Sequence, residues 1–112
     1  MMKVKKDMLD LLSLLKVFDA NFVSDADCEQ LHGLDVNSPN GVASAVQALL
    51  LPEFHTYTKT AQDRRRNLLS MFLADPSEKF CALFEGVELV FDDEITDRRA
   101  FMAALLAEIE GE

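Results

Sequence analysis

The chain has 112 residues, of which 49% are hydrophobic, and a formal net charge of −9 at pH 7. This length suits one domain with its own core, and the composition is far from that of disordered chains. The sequence contains no run of about 18 uncharged apolar residues, which excludes a membrane span, and its acidity disfavours nucleic acid as a partner.

The apolar pattern predicts a mainly α-helical fold, a compact bundle of about five to six helices in one globular domain over residues 1–112. Leu11, Phe18 and Phe22 recur at helical spacing in a first helix over residues 5–22. The basic residues before this helix lack the apolar stretch and cleavage site of a signal peptide. We therefore expect a cytoplasmic protein.

A short second helix is predicted over residues 25–32. Ser24 can cap its start, because a serine oxygen accepts the unpaired N–H groups of a first turn. Gly33 follows its end, where a left-handed residue commonly terminates a helix.

The third predicted helix, over residues 39–51, contains no charged residue. Ser38 is placed to cap it, Pro39 suits its first position, and Pro52 is expected to end it. A helix without charge is either buried on every side or free to pack on a partner. We expect burial, with four core residues: Val42, Val46, Leu49 and Leu50.

The fourth predicted helix is capped by Thr60 and runs to about Ala74. Its first half contains Arg64, Arg65 and Arg66, which with Lys59 form a basic cluster. In so acidic a chain, these cations are expected to pair internally or lie in solvent rather than bind nucleic acid.

Residues 75–91 allow two interpretations. Asp75 and Pro76 can begin a helix, with Phe80 and Phe84 on its inner face. The same apolar residues can instead form a short β-hairpin near residues 79–91. Short apolar runs do not distinguish the two, and we favour the helix while keeping the hairpin as the alternative. A last helix is predicted from a Thr96 cap to about Glu110.

Four side chains with metal-binding or nucleophilic chemistry are spread along the chain: Cys28, His32, His55 and Cys81. Their spacing matches no compact zinc signature, and no glycine-rich turn accompanies them that would build an oxyanion site. We therefore expect buried, reduced thiols, no metal, no cofactor and no catalytic residue.

Most of the negative charge lies near the C-terminus, since residues 85–112 contain nine acids and two arginines, a net charge of −7. Acids before a helix can have the purely structural role of stabilising the helix dipole. Alternatively, they can form a patch that steers a basic protein into contact. The functional interpretation gives six candidate partner-binding residues: Glu85, Glu88, Asp92, Asp93, Glu94 and Asp97.

Because motifs for enzymes, nucleotide cofactors and DNA binding are absent from the sequence, we expect a binding protein rather than an enzyme. Its expected function is that of an inhibitor or neutraliser of a basic protein, of the immunity-protein, antitoxin or phage-antagonist type. One alternative is a small-ligand-binding protein or enzyme with an apolar pocket near Cys28 and His32. Another is a helical scaffold or the subunit of a homo-oligomer.

Overall fold

The computed structural model describes the backbone of residues 2–111 and the side chains of residues 9–111. Within that range the fold is mainly helical, with six helices and no strand, as the sequence predicts. The helices are α1 (Met2–Leu15), α2 (Asp25–Gln30), α3 (Pro39–Ala45, continued by Val46–Leu50 and Leu51–Phe54), α4 (Lys59–Ala74), α5 (Cys81–Glu85) and α6 (Arg98–Glu110). Over the described backbone, every helix is too short or too polar to cross a membrane.

The core is formed where α6 packs against α3 and α4, and α1 also packs on α4. The four residues expected to be buried in α3 are buried, which confirms them as core residues, while Ser44 and Gln47 on the other side of the helix are exposed. Phe18, Phe54 and Phe80 are the largest side chains with no exposed surface, and they fill the space between the helices.

Proline does not end α3, and the expectation for Pro52 is wrong. Over Val46–Leu50 the helix widens into a π-type turn, in which the N–H of Leu51 donates to the carbonyl of Val46. Pro52 then falls in the first turn of the next segment, Leu51–Phe54, where a missing backbone donor costs little. The helix therefore continues past the proline.

The first helix is shorter than predicted, because α1 ends at Leu15 and a 3₁₀ turn, Lys16–Phe18, follows it. Here the chain leaves the helix to pair with a distant segment. Val90 N–H donates to the Phe18 carbonyl (3.0 Å), and Ala20 N–H donates to the Glu88 carbonyl (2.8 Å). Residues 18–20 thus lie antiparallel to residues 88–90 through one isolated bridge.

No hairpin forms near residues 79–91; a short helix, α5, is found there instead. It begins later than expected, because the Asp75 carboxylate accepts from the N–H (3.0 Å) and hydroxyl (2.7 Å) of Ser77. These bonds close a local turn that competes with helix initiation. Phe80, left-handed at φ 61° and fully buried, connects that turn to α5.

Ser24 and Ser38 cap α2 and α3 as predicted, accepting from the N–H groups of Asp27 and Gly41. Two other predicted caps are each wrong by one or two positions. Thr58 rather than Thr60 caps α4, through the N–H of Ala61. Asp97 rather than Thr96 caps α6, because the hydroxyl and N–H of Thr96 are engaged by Asn37 Oδ1.

Candidate partner-binding site

The segment between α5 and α6, residues 87–97, carries five of the six candidate acids, all except Glu85, and is here called the acidic loop. It is fastened to the rest of the chain along its length. Its first part pairs with residues 18–20 as described above. Farther on, the Asn37 side-chain amide donates to the Glu94 carbonyl (2.9 Å), and Asn37 Oδ1 accepts from Thr96 N–H (2.9 Å). The loop is therefore a fixed part of the surface.

Asp92 holds the middle of the acidic loop to the turn after α2. Its Oδ2 accepts from the Gly33 N–H (2.7 Å), and its Oδ1 lies 3.0 Å from Nδ1 of His32. Gly33 has φ +80°, a left-handed conformation that glycine adopts without strain. The Gly33 hydrogen bond, helped by the nearby His32, holds the pKa of Asp92 below its ordinary value despite some desolvation. Asp92 is thus used within the fold.

The remaining candidate acids divide by whether the fold uses them. Asp97 is committed as the cap of α6, since its Oδ1 accepts from the N–H of Ala100 (3.0 Å). Four carboxylates are exposed and make no hydrogen bond or ion pair with any residue the structure describes: those of Glu85, Glu88, Asp93 and Glu94. These four are open to a partner.

A groove of about 480 Å³ lies beside the acidic loop and is here called the acidic groove. Three carboxylates line it, those of Asp92, Asp93 and Glu94, together with one cation, Arg98. Its remaining lining is apolar, and all five of these side chains are half-buried against the core: Phe84, Val87, Leu89, Phe91 and Ile95. The groove therefore places an apolar floor beside a net negative charge.

Aromatic contacts fix the floor of the acidic groove to the core. The ring of Phe91 lies 5.2 Å from that of Phe18 and 6.0 Å from that of Phe101, between centroids. Phe84 stands edge-on to Phe101 at 6.0 Å. Tilted and edge-on rings at these separations attract one another, so the floor is held in shape without a partner.

Arg98 is the cation that sequence reasoning did not connect with this site. Its guanidinium lies 5.4 Å from the centroid of Phe84, and its Nη1 donates to Cys81 Sγ (3.4 Å). Glu85 and Glu88 lie outside the lining of the acidic groove. The structure thus brings three of the six predicted acids to one groove. Four of the five apolar side chains of the floor lie in segment 79–91, for which the sequence allowed two structures.

The residues considered for metal binding or catalysis do not come together. Among the described residues, no three His, Cys, Asp or Glu side chains are placed to hold one ion. Cys28 is half-buried and Cys81 is exposed, so the expectation of two core thiols is wrong for Cys81. The side chain of His32 is the one bound to Asp92.

The arginine cluster of α4 pairs within the chain, as expected. Arg64 Nε donates to Asp10 Oδ2 (2.7 Å), Arg65 Nε to Ser13 Oγ (2.8 Å), and Arg66 Nε to the Ile109 carbonyl (3.0 Å). These contacts tie α4 to α1 and to the end of α6. The cluster therefore serves the packing of the bundle.

Comparison of the chain with protein-family models, with curated proteins and with solved structures gives no match.

Proposed function

We propose that this chain is a small acidic protein-binding module that inhibits or neutralises a basic partner protein, and that the acidic groove is its docking site. The observation that carries the proposal is the apolar floor beside Asp93 and Glu94, whose carboxylates have no partner among the described residues. The proposal assigns no catalytic residue, metal or cofactor.

The two parts of the acidic groove have separate roles in such a complex. The half-buried side chains on its floor supply the apolar contact that slows dissociation. The carboxylates, within a C-terminal region of net charge −7, raise the rate of encounter with a cationic surface and disfavour acidic proteins. Because surface charges are screened over about 8 Å at physiological ionic strength, association should slow as salt is added.

The fold offers a matched pair of variants that separates docking in the groove from general acidity. The double amide Asp93→Asn/Glu94→Gln removes two unpaired charges from the groove lining. The double amide Glu85→Gln/Glu88→Gln removes two unpaired charges outside it. Both variants retain the hydrogen bond from the Gly33 N–H to Asp92, so the acidic loop keeps its position.

The first experiment is cross-linked capture from the organism that carries the gene, with the wild type and both double amides as baits. We expect a basic protein that the wild type and the Glu85/Glu88 variant capture and that the Asp93/Glu94 variant loses. With that protein purified, the Asp93/Glu94 variant should slow association about tenfold, because steering charges act mainly on the on-rate. Equal effects of the two double amides would contradict docking in the groove.

The floor and the inhibitory role are tested with the same purified partner. Val87→Thr keeps the shape of the half-buried Val87 but adds a hydroxyl to the floor, and we expect faster dissociation with little change in association. Saturating amounts of the chain should reduce the partner's own activity. A complex that forms with full activity retained would leave a binding module but contradict the role of inhibitor.

The scaffold or oligomer alternative would use the uncharged surface of α3 as its contact with a second copy. The buried residues of α3, including Val42, Val46 and Leu50, already pack in the chain's own core.

A further inference from the structure

A second cleft, of about 470 Å³, lies elsewhere on the surface and shares no lining residue with the acidic groove. It is bounded by the end of α1, the start of α2 and the second half of α3. Its apolar walls are formed by Val17, Val23, Ala48, Leu49 and Pro52. The volume falls in the usual range of small-molecule sites, roughly 300–1,000 Å³.

The π-type turn of α3 supplies part of this wall, since Ala48 and Leu49 belong to Val46–Leu50. Pro52, just beyond the turn, adds a ring and no backbone donor. Widened turns of this kind occur frequently at functional sites. The wall is therefore apolar and includes the π-type turn of a helix that is buried on its other side.

Phe22 lines the second cleft and is 62% exposed, an unusual position for a phenylalanine in a chain with so many buried rings. It forms no ring–ring contact with another described aromatic side chain. Its face is instead occupied by a cation: Nζ of Lys16, another lining residue, lies 4.9 Å from the ring centroid. This contact shows that the face of the Phe22 ring, as it is positioned in the cleft, can accommodate an ammonium group.

Two carboxylates line the same cleft, those of Asp27 and Glu53. The Glu53 carboxylate makes no hydrogen bond or ion pair with a described residue, and that of Asp27 accepts one exposed bond from Gln30 (3.2 Å). Lys16 forms no ion pair with either within the described part of the chain. The cleft thus holds one cation and two available anions beside an apolar wall.

We propose that the second cleft binds a small organic cation, an amine carried on an aromatic or aliphatic body. The ammonium pairs with Glu53 and Asp27 and takes the place of Lys16 at the face of Phe22. The apolar body lies on Leu49, Pro52 and the neighbouring walls. Charge complementarity selects a cation, because the lining carries a net negative charge and the chain as a whole has −9.

The test uses 2-phenylethylamine as the probe and 2-phenylethanol as its uncharged counterpart, with binding followed by backbone amide shifts and calorimetry. A fragment of this size is expected to bind with a dissociation constant of roughly 1–10 mM. We expect the alcohol to bind about tenfold more weakly, and the shifts to centre on Val17, Phe22 and Leu49.

Three variants give a pattern that a merely structural role would not produce. Glu53→Gln should weaken binding of the amine about twofold to fivefold, since it removes an exposed ion pair. Lys16→Met should tighten binding, because it removes both the competing cation and its repulsion. Glu110→Gln, an equal change of charge outside the cleft, should leave binding unaltered. Amide spectra of each variant verify that the fold is intact.

Several results would overturn the proposal: no saturable binding of the amine at roughly 20 mM, equal binding of amine and alcohol, or equal weakening by the glutamine variants of Glu53 and Glu110. Weaker binding in Lys16→Met would equally contradict a site in which Lys16 competes with the ligand. None of these results bears on the acidic groove, which uses different residues.

Discussion

Arg99, the second residue of α6, fastens the connection between α4 and α5, and its removal is the most direct test of how that connection is held. Its Nη1 donates to the carbonyls of Asp75 (3.0 Å) and Glu78 (2.8 Å), and its Nη2 donates to the carbonyl of Leu73 (2.6 Å). The connection in turn delivers Phe80 to the core and sets where α5 begins. Replacing Arg99 with methionine keeps most of the aliphatic stem and deletes all three bonds.

The expected loss follows from the number and burial of these bonds. A hydrogen bond from a charged donor contributes about 1.5–3 kcal/mol net. The three bonds share one half-buried guanidinium, and the freed carbonyls regain some water, so the total should be about 2–4 kcal/mol. For a chain of this length each kcal/mol corresponds to about 4 °C, which gives a fall in melting temperature of about 8–16 °C.

The assay is urea denaturation with two comparison variants. Arg98→Met makes the same change of charge at the neighbouring, exposed position and should cost less than about 1 kcal/mol. Arg99→Lys retains the charge but has one ammonium in place of a planar fork, and it should fall between the wild type and Arg99→Met. If Arg99→Met and Arg98→Met agree within about 0.5 kcal/mol, the three bonds do not support the connection and the reasoning fails.

Gly41→Ala should destabilise the fold by at least about 2 kcal/mol, because the added methyl group would be placed on the backbone carbonyl of Asp35; an unchanged melting temperature would contradict this close approach. In the native protein, Cys81 should react faster with a polar thiol reagent than the half-buried Cys28, and equal rates by mass spectrometry would show that exposure does not control them. The carboxyl carbon of Asp92 should titrate below the ordinary pKa of 3.8 in NMR spectra. Because the pKa of Asp92 is lower in the folded than in the unfolded chain, the stability that this carboxylate supplies is complete above its unfolded pKa and is lost as pH falls through its folded pKa. Asp92→Asn should abolish this contribution to the pH dependence of stability. Titration of Asp92 at or above 3.8 would refute the Gly33 hydrogen bond.

The parts of the fold that local chemistry determines could be predicted from the sequence. A serine followed by a suitable first turn is sufficient to start a helix, and both Ser24 and Ser38 do so. The uncharged stretch of α3 could only be buried or partnered, and its core residues are buried. In these cases the residues that decide the structure lie within one helical turn, for the caps, or within a single helix, for the buried stretch.

The errors occur where a distant segment overrides a local preference. The apolar period of α1 continues to Phe22, yet the chain leaves the helix earlier because residues 18–20 pair with residues 88–90. Thr96 is a good cap by type, but Asn37, distant in sequence, occupies its hydroxyl and N–H. Neither competitor can be recognised from the residues surrounding the helix end.

In the acidic loop, too, the sequence predicted the composition but not the contacts with distant residues. Those contacts determine which variant can test the function of the loop. Composition predicted that the loop is acidic, but not that Asp92 would be held by Gly33 while the adjacent Asp93 stays unpaired. A variant that neutralises the whole run would remove a steering charge and an anchor of the loop at once. Its slower association would then have two explanations, lost charge and a displaced groove. Neutralising Asp93 and Glu94 while keeping Asp92 removes only charge, so a change in association rate can be assigned to steering.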